Sequence, residues 1–211
     1  MNIALAQIHP KDEEIEYNLN EHYKLINLAA NQGAELIVFP EMSITGYVKE
    51  RAGELAFSEQ DSRLNKLREL AAQNNIVVIA GAPIKLPSGL HIGLFIIFPN
   101  NTHQIYTKHF LYTGEEEFYT PNQNLNPMIK LGNESISLAI CADITNPVHP
   151  ENAKSSGASI YIASIFYSRK SIDEAHNLLS SYAHKHSMTV MMINFCGESC
   201  RIQAGGRSGI W

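Results

Sequence analysis

ISLAICADITNP, residues 136–147, joins an apolar run to a turn of mostly polar residues. The run ISLAI is short, apolar and rich in isoleucine, which predicts a buried β-strand. Cys141 follows at once, and a small residue, Ala142, and an acid, Asp143, come next. Residues typical of a helix start and stop follow, namely Asn146, Pro147 and Gly157. The segment therefore predicts a strand, a sharp turn that carries a thiol, and a helix.

Similar apolar runs recur along the chain and alternate with stretches of helical period, the pattern of a layered α/β domain. The predicted strands are residues 2–8, 35–39, 76–81, 93–98, 136–140, 159–164 and 189–194. The predicted helices are residues 15–33, ending at Gly33, and 61–75 and 171–187, with Asp61 and Ser171 as N-caps. Turn residues at 99–101 predict a hairpin, so the sheets are expected to be mixed.

Composition limits the classes of function. The chain has 211 residues, of which 45% are hydrophobic and 18% charged, so one globular domain spanning 1–211 is expected. A net charge of -5 without a long basic run argues against nucleic-acid binding. The longest apolar stretches, such as 76–84, are too short to cross a bilayer, so no membrane partner is expected. A small-molecule ligand fits best.

The three cysteines are too few for a disulfide scaffold and indicate a reducing compartment. The start, MNIALAQIHP, lacks a basic segment and predicts a first strand rather than a signal peptide. A cytoplasmic protein is therefore expected.

Three residues at predicted strand ends have side chains suited to nucleophilic catalysis. Cys141 on its turn suits a nucleophile beside free backbone N–H groups, although a free cysteine is also commonly a small buried hydrophobe. Glu41 follows a buried strand and Pro40, where burial would suit it to act as a base, although a solvated loop glutamate is equally ordinary. Lys108 lies among aromatic residues, although a surface lysine is common there too.

The three residues occur in segments that resemble the signature segments of one family. IVFPEMSITGY, YTKHFLYTGEEEFYTP and ISLAICADITNP are similar to those of the nitrilase superfamily, the carbon–nitrogen hydrolases with a Glu-Lys-Cys triad. NFCG (194–197) and GGRS (205–208) resemble later segments of the family, so the likeness covers nearly the whole chain.

The resemblance implies a four-layer α-β-β-α sandwich with two mixed sheets. It also implies roles for the site residues: Glu41 as general base, Lys108 as oxyanion stabiliser, Cys141 as nucleophile and the Ala142 N–H in the oxyanion hole. Glu115 best matches a second acid near the triad, with Glu116 and Glu117 as alternatives. No cofactor and no metal are implied, and members commonly pair, so a homodimer or a larger even assembly is expected.

Three departures from the family pattern bear on these expectations. Ala142 and TNPVHPE replace an aromatic residue and Arg-Phe-Pro-Glu, which changes the pocket, and Pro121-Asn122 replaces Pro-Gly. Members usually continue beyond Gly-Gly-x-Ser, so the chain is expected to lack the usual C-terminal tail. Candidates for the substrate-pocket wall are Tyr47, Tyr112, Phe166, Tyr167 and Arg169.

The expected reaction is hydrolysis of an amide, carbamoyl or nitrile carbon–nitrogen bond through a thioester on Cys141, with release of ammonia or an amine. Alternatives are a non-catalytic binding protein of the same fold and an acyltransferase with an amine acceptor. The CGESC segment, with Cys196 and Cys200, also permits a zinc site or a redox pair, but no second ligand pair follows it. The histidines of HKH, 184–186, point apart on a predicted helix.

Overall fold

The computed structural model describes the whole chain, residues 1–211, and contains two five-stranded sheets, one from each half of the chain. The first sheet consists of β1 (Ile3–Leu5), β2 (Leu36–Val38), β3 (Val77–Leu86), β4 (Gly89–Ile97) and β5 (His103–Thr107), in that spatial order. The later strands are β6 (Ile129–Leu131), β7 (Glu134–Ile140), β8 (Ile160–Ile165), β9 (Thr189–Asn194), β10 (Glu198–Ser199), β11 (Ile202–Gln203) and β12 (Gly209–Ile210). The second sheet has the order β12-β9-β8-β7-β6, and β10 and β11 form a separate short hairpin.

Five α-helices and two 3₁₀ turns connect the strands. The helices are α1 (Ile15–Asn31), α2 (Ala52–Leu55), α3 (Asn65–Asn74), α4 (Val148–Ser155) and α5 (Ile172–His186), and the 3₁₀ turns are Ser62–Leu64 and Cys141–Thr145. The three helices predicted from periodicity are thus present, with the second one starting as a 3₁₀ turn. None of the helices is both long and apolar enough to cross a membrane.

Both sheets are mixed, as predicted. Strands β1, β2 and β3 run parallel, whereas β3, β4 and β5 pair antiparallel through hairpins, one of them at residues 99–101. In the second sheet β7, β8 and β9 are parallel, and the outer strands β6 and β12 are antiparallel to them. Glu41 and Cys141 follow the carboxyl ends of β2 and β7, and each of these strands lies next to an edge strand of its sheet.

Alternating side chains along β2 pack against different layers on the two faces of the first sheet. Leu36 and Val38 join the core cluster that contains strands of both sheets, whereas Ile37 and Phe39 pack with residues of α1 and α3. Helices α4 and α5 contribute to the cluster that contains strands of both sheets, for example through Leu179. The order of layers is therefore helix, sheet, sheet, helix, which confirms the predicted four-layer sandwich.

Several strand boundaries differ from the prediction. The first strand covers Ile3–Leu5 instead of 2–8, and the runs 76–81 and 93–98 are parts of one long hairpin formed by β3 and β4. Pro83 fits within β3 because β2 pairs only with Val77–Ile79, so no β2 strand lies beside Pro83. The short strands β6, β10, β11 and β12 were not predicted from the sequence.

The predicted caps also differ in their outcome. Asp61 accepts a hydrogen bond from the Arg63 N–H at 3.0 Å, as an N-cap does. Ser171 makes no capping bond to α5; its hydroxyl instead pairs with that of Ser168 at 3.0 Å. Asn146 accepts from the Val148 N–H at 3.1 Å at the start of α4.

Candidate active site

Glu41, Lys108 and Cys141 each follow the last residues of a strand, and the two sheets bring them into one buried cluster. Glu41 comes after β2 and Lys108 after β5, both in the first sheet, whereas Cys141 comes directly after β7 in the second. The residues are 0%, 1% and 9% exposed, respectively. Buried charged groups such as Glu41 and Lys108 require partners of opposite charge.

Lys108 lies between two carboxylates. Its Nζ donates to Oε1 of Glu41 and to Oε1 of Glu115, both at 2.8 Å, and all three side chains are excluded from solvent. The Lys108 pKa is raised: burial opposes the charge, but Glu41, Cys141 and Glu115 favour it more. The ammonium is therefore kept charged in a buried site.

Glu115 is the acid that the fold places beside Lys108, whereas Glu116 and Glu117 are exposed. Its Oε1 also accepts from the Tyr47 hydroxyl, and its Oε2 accepts from the Tyr112 N–H at 2.7 Å. Both carboxylate oxygens are thus occupied. Glu115 serves as the fixed counter-ion of the lysine.

Glu41 differs from Glu115 because one of its oxygens is free. Its Oε2 is buried without a hydrogen-bond partner. Burial raises the pKa of Glu41 to about 7. The ion pair with Lys108 lowers the pKa, but not enough to offset burial and the negative charge of Glu115, which both raise it. A carboxylate with a near-neutral pKa and a free oxygen is suited to accept a proton.

The turn that carries Glu41 is held from two sides. Met42 has a positive φ of 56°, and Gly81 on β3 packs so closely that a Cβ there would lie 2.5 Å from the Met42 nitrogen. Ser43 Oγ accepts from the Gly81 N–H at 3.2 Å and lies 3.0 Å from Nε2 of the buried His22. Burial lowers the pKa of His22 to about 4, so its imidazole is neutral near pH 7 and accepts from Ser43.

Cys141 occupies a strained position. Its φ is 42°, in the left-handed region that non-glycine residues adopt only when the surroundings hold them there. The Sγ atom lies 3.7 Å from the carbonyl oxygen of Phe166, the partner to which a thiol can donate. Burial, together with the charge of Glu41, raises the pKa of the thiol well above its usual value. The resting group is therefore a thiol that must lose its proton in order to react.

Asp143 belongs to the same 3₁₀ turn as Cys141 and is fully buried. Its Oδ2 accepts from the Ile140 N–H at 2.8 Å and from the Tyr106 hydroxyl at 2.5 Å. Its Oδ1 accepts from the N–H groups of His109 and Phe110, both at 2.9 Å. One carboxylate therefore joins the backbone before Cys141 to the backbone after Lys108.

The candidate pocket residues fall into two groups. Tyr47 and Phe166 pack against each other with ring centroids 5.3 Å apart, and Tyr167 is partly buried, with a pKa raised by burial and by Cys141. The Tyr112 side chain, in contrast, is 63% exposed, and only its backbone reaches the site. Arg169 is exposed, and its guanidinium makes no hydrogen bond or ion pair.

Cys196 and Cys200 are free thiols, both partly buried. Cys200 follows Ser199, whose hydroxyl accepts from the Tyr47 N–H at 2.9 Å and donates to Asp12. No group of three or more His, Cys, Asp or Glu side chains is arranged to hold a metal ion.

Sequence reasoning assigned no role to Asp143, His22 or Ser199, although the structure gives each a contact close to the site. An acid within the turn after Cys141 was the one available signal for Asp143. The contacts of His22 and Ser199 connect segments distant in the chain and leave no local pattern.

The chain matches known proteins over most of its length. The family model described as carbon-nitrogen hydrolase matches residues 2–211. A glutamine-dependent NAD(+) synthetase of Thermotoga maritima is 25% identical over 168 residues, which are 77% of this chain and 29% of that protein. A nitrilase of Pyrococcus abyssi is 26% identical over 164 residues, 76% of this chain and 63% of the nitrilase. The chain thus matches less than two thirds of the length of these relatives.

Among solved structures, the amidase NitN from Nesterenkonia sp. AN1 superposes on the whole chain with a TM-score of 0.90 at 25% identity. The match covers 84% of the amidase chain. Another crystal structure of an amidase from Nesterenkonia sp. gives the same TM-score and identity over 81% of its chain.

Proposed function

The chain belongs to the carbon–nitrogen hydrolase family, and we propose that it hydrolyses a small carboxamide through a thioester on Cys141. One observation carries this proposal: Glu41 is ion-paired to Lys108 through one oxygen and keeps the other free, with its pKa near 7. The pair thus combines a proton acceptor with a fixed positive charge, the two groups that a resting thiol requires in order to attack a carbonyl.

In the first half-reaction, the Cys141 thiol transfers its proton to Glu41 as sulfur bonds to the carbonyl carbon. The carbonyl oxygen becomes an oxyanion, which the Lys108 ammonium and the Ala142 N–H stabilise. Glu41 then returns the proton to the nitrogen as the carbon–nitrogen bond breaks. Ammonia leaves, and the acyl group remains on sulfur as a thioester.

In the second half-reaction, water takes the place of the leaving nitrogen. Glu41 accepts a proton from the water as its oxygen bonds to the thioester carbon, and the same cationic groups stabilise the second oxyanion. The carbon–sulfur bond breaks, sulfur regains the proton, and a carboxylic acid leaves. Glu115 takes no proton in this cycle because both its oxygens are occupied; it keeps Lys108 in place.

A primary carboxamide is the substrate class that we favour. Mutants of the Nesterenkonia amidase have been solved with acrylamide joined by Michael addition to the active-site cysteine and in complex with butyramide, both small amides. The names of three relatives describe glutamine-dependent synthetases, and glutamine also carries a terminal carboxamide. A first screen compares ammonia release from glutamine and other ω-amides, aliphatic amides, N-carbamoyl amines and nitriles.

Hydroxylamine trapping tests the proposed thioester. A good nucleophile intercepts an acyl-enzyme, so the best amide from the screen should yield a hydroxamate whose share of product rises with hydroxylamine concentration. Glu41→Gln should suppress hydroxamate and free acid together, because the base acts in both half-reactions. Ammonia release without hydroxamate and without an acyl adduct on Cys141 by mass spectrometry would contradict the mechanism, as would full activity of Glu41→Gln.

The cytoplasmic location and the even-numbered assembly inferred from the sequence stay predictions. Light scattering of the purified chain at micromolar concentration measures the assembly directly, and a monomer mass would contradict it.

A further inference from the structure

We propose that Asp143 is a positioning residue that holds the Cys141 turn and the Lys108 segment in register across the two sheets. The inference rests on the proposed function, since it concerns the geometry in which the thiol and the ammonium meet a substrate. It extends that function to a residue that touches neither the substrate nor the reacting atoms.

The first support is the set of groups that Asp143 binds. Its two oxygens accept four hydrogen bonds, three of them from backbone N–H groups, and the side chain has no exposure to solvent. A buried carboxylate with four donors is fully satisfied, and hydrogen bonds to a charged acceptor are among the strongest in proteins. The side chain is therefore a rigid anchor.

The second support is where those backbone groups lie in the chain. Ile140 immediately precedes Cys141, whose positive φ needs restraint from its surroundings. His109 and Phe110 immediately follow Lys108. Lys108 belongs to the half of the chain that forms the first sheet and Cys141 to the half that forms the second, so Asp143 fixes one relative to the other.

The third support is a hydrogen-bond chain that orients Asp143. Tyr106 on β5 donates to Asp143, and its oxygen lies 2.9 Å from Nε2 of His149 on α4. Nδ1 of His149 in turn lies 2.8 Å from the hydroxyl of Tyr161 on β8. Tyr106 donates its only hydroxyl proton to Asp143. His149 must therefore donate from Nε2 to the Tyr106 oxygen and accept at Nδ1 from the Tyr161 hydroxyl.

Burial lowers the pKa of His149 to about 4, so the imidazole is neutral near pH 7, as this order of donors requires. The four groups thus form one directional chain from the second sheet, through helix α4 and the first sheet, to the turn of the nucleophile. Each member has a single role as donor or acceptor toward the next, and the chain ends in a donor directed at Asp143 Oδ2.

Asp143→Asn prevents the side chain from binding the Ile140 N–H and the N–H groups of His109 and Phe110 at the same time. An asparagine presents one acceptor oxygen and one amide NH₂ group. If the oxygen faces His109 and Phe110, the NH₂ group faces the Ile140 N–H, and two donors meet; in the flipped orientation the bonds from His109 and Phe110 are lost. In either orientation, the thiol and the ammonium lose their fixed relation.

The test compares Asp143→Asn and Tyr106→Phe with the wild type, and uses Ser159→Ala as control. Ser159 lies at the opposite end of β8, where its hydroxyl accepts from the Ser135 N–H at 3.0 Å, so its loss costs stability far from the thiol. Folded active sites are counted from the amplitude of the cooperative thermal unfolding transition. Ammonia release then gives kcat per site and KM, and the time course of iodoacetamide labelling of Cys141, followed by peptide mass spectrometry, gives the thiol reactivity.

We expect kcat per site to fall about 10²-fold in Asp143→Asn, with KM changed only a few-fold, because small misplacements of reacting groups have effects of this size. Tyr106→Phe should show a smaller loss of about tenfold, and both variants should slow alkylation of Cys141. Ser159→Ala should melt at a lower temperature with kcat per site and alkylation unchanged.

Wild-type kcat per site and wild-type alkylation in Asp143→Asn would overturn the inference, since its losses would then reflect only fewer folded molecules. If Asp143→Asn does not fold, the same result in Tyr106→Phe overturns it. The alkylation readout needs no substrate. Slower alkylation of the variants alongside a wild type that releases no ammonia would support positioning and contradict the proposed hydrolysis.

Discussion

The Tyr47 hydroxyl and the Lys108 ammonium donate to the same oxygen of Glu115. Tyr47 is in turn held through its backbone N–H by Ser199 of the β10–β11 hairpin. The counter-ion of Lys108 therefore depends on a loop from the far end of the chain. Glu41 makes no hydrogen bond other than the one to Lys108, so the lysine is positioned chiefly by the contacts that Glu115 makes elsewhere.

Tyr47→Phe removes one donor from Glu115. Lys108 should then shift toward Glu115 and neutralise Glu41 less, so the pKa of Glu41 should rise further above its ordinary value. We expect kcat near pH 7 to fall about tenfold. A hydrogen bond to a charged group contributes roughly 1.5–3 kcal/mol, which is enough to account for a loss of this size. The acidic limb of the pH–rate profile should move to higher pH. Tyr17→Phe, on the exposed face of α1, is the matched control and should change neither quantity.

Cys141→Ala should abolish ammonia release, whereas Cys196→Ser and Cys200→Ser should keep most of it. Only Cys141 lies beside the buried acid and lysine, and the other two thiols are partly exposed elsewhere. Initial rates with a fixed amount of folded protein provide the measurement. A Cys141→Ala protein that hydrolyses the amide at a comparable rate would rule out the proposed nucleophile.

The pH dependence of kcat/KM should have a single limb over the accessible range. Glu41, with a pKa of about 7, must be ionised to accept the thiol proton, so the rate should rise about tenfold per pH unit below that value and level off above it. The pKa values of Lys108 and Cys141 are both raised, so neither group should add a limb below pH 9. A plateau that extends down to pH 5 would show that Glu41 is not the base.

Gly81→Ala should impair the site from a neighbouring strand. A Cβ on Gly81 would lie 2.7 Å from the Pro40 carbonyl oxygen and 3.0 Å from the Glu41 carbonyl carbon, which are backbone atoms that cannot turn aside. We expect the turn to shift, kcat to fall at least about tenfold, and the melting temperature to drop. Gly53→Ala is the control, because a Cβ there meets nothing within 4 Å and alanine favours the helix.

Acid should destabilise the fold through His22 and His149. Both have folded pKa values of about 4, below the ordinary 6.5, so the unfolded chain binds more protons and stability is lost as the pH falls from 6.5 toward 4. Each histidine contributes roughly 3 kcal/mol across that range. Urea unfolding at several pH values measures the effect.

The opposite shift of Glu41 has to be removed from that measurement. Its folded pKa of about 7 lies above the ordinary 4.5, so it favours the fold at low pH and this contribution is lost as the pH rises from 4.5 to 7. The titration is therefore best done on Glu41→Gln, where the histidine effect should stand alone. A stability independent of pH between 4 and 6.5 in that variant would contradict the assignment.

The strand ends that carry Glu41, Lys108 and Cys141 could be located from the sequence because each of the three residues lies at the end of a strand-like run. Glu115 could be ranked above Glu116 and Glu117 only by resemblance, and the structure does bury it while leaving the other two exposed. No sequence pattern indicates in which direction a loop side chain points. The ring of Tyr112 therefore proved to be exposed, although its backbone reaches Glu115.

The hairpin of β3 and β4 and the contacts of Asp143 show which features a local sequence pattern cannot predict. Pro83 and the polar residues near the tip interrupt the alternation, although the backbone pairing continues to Leu86. Three of the four donors to Asp143 lie more than thirty residues earlier in the chain. Such contacts exist only once the two sheets have packed together.

The division of the sheets between the two halves of the chain has a consequence for synthesis on the ribosome. The first half emerges with Glu41, Lys108 and Glu115 but without Cys141, and the faces of β2 that later pack in the core still meet water. Solvated in this way, Glu41 is an ordinary acid. Burial raises the pKa of Glu41, so the proposed proton transfer requires the two halves of the chain to have packed together.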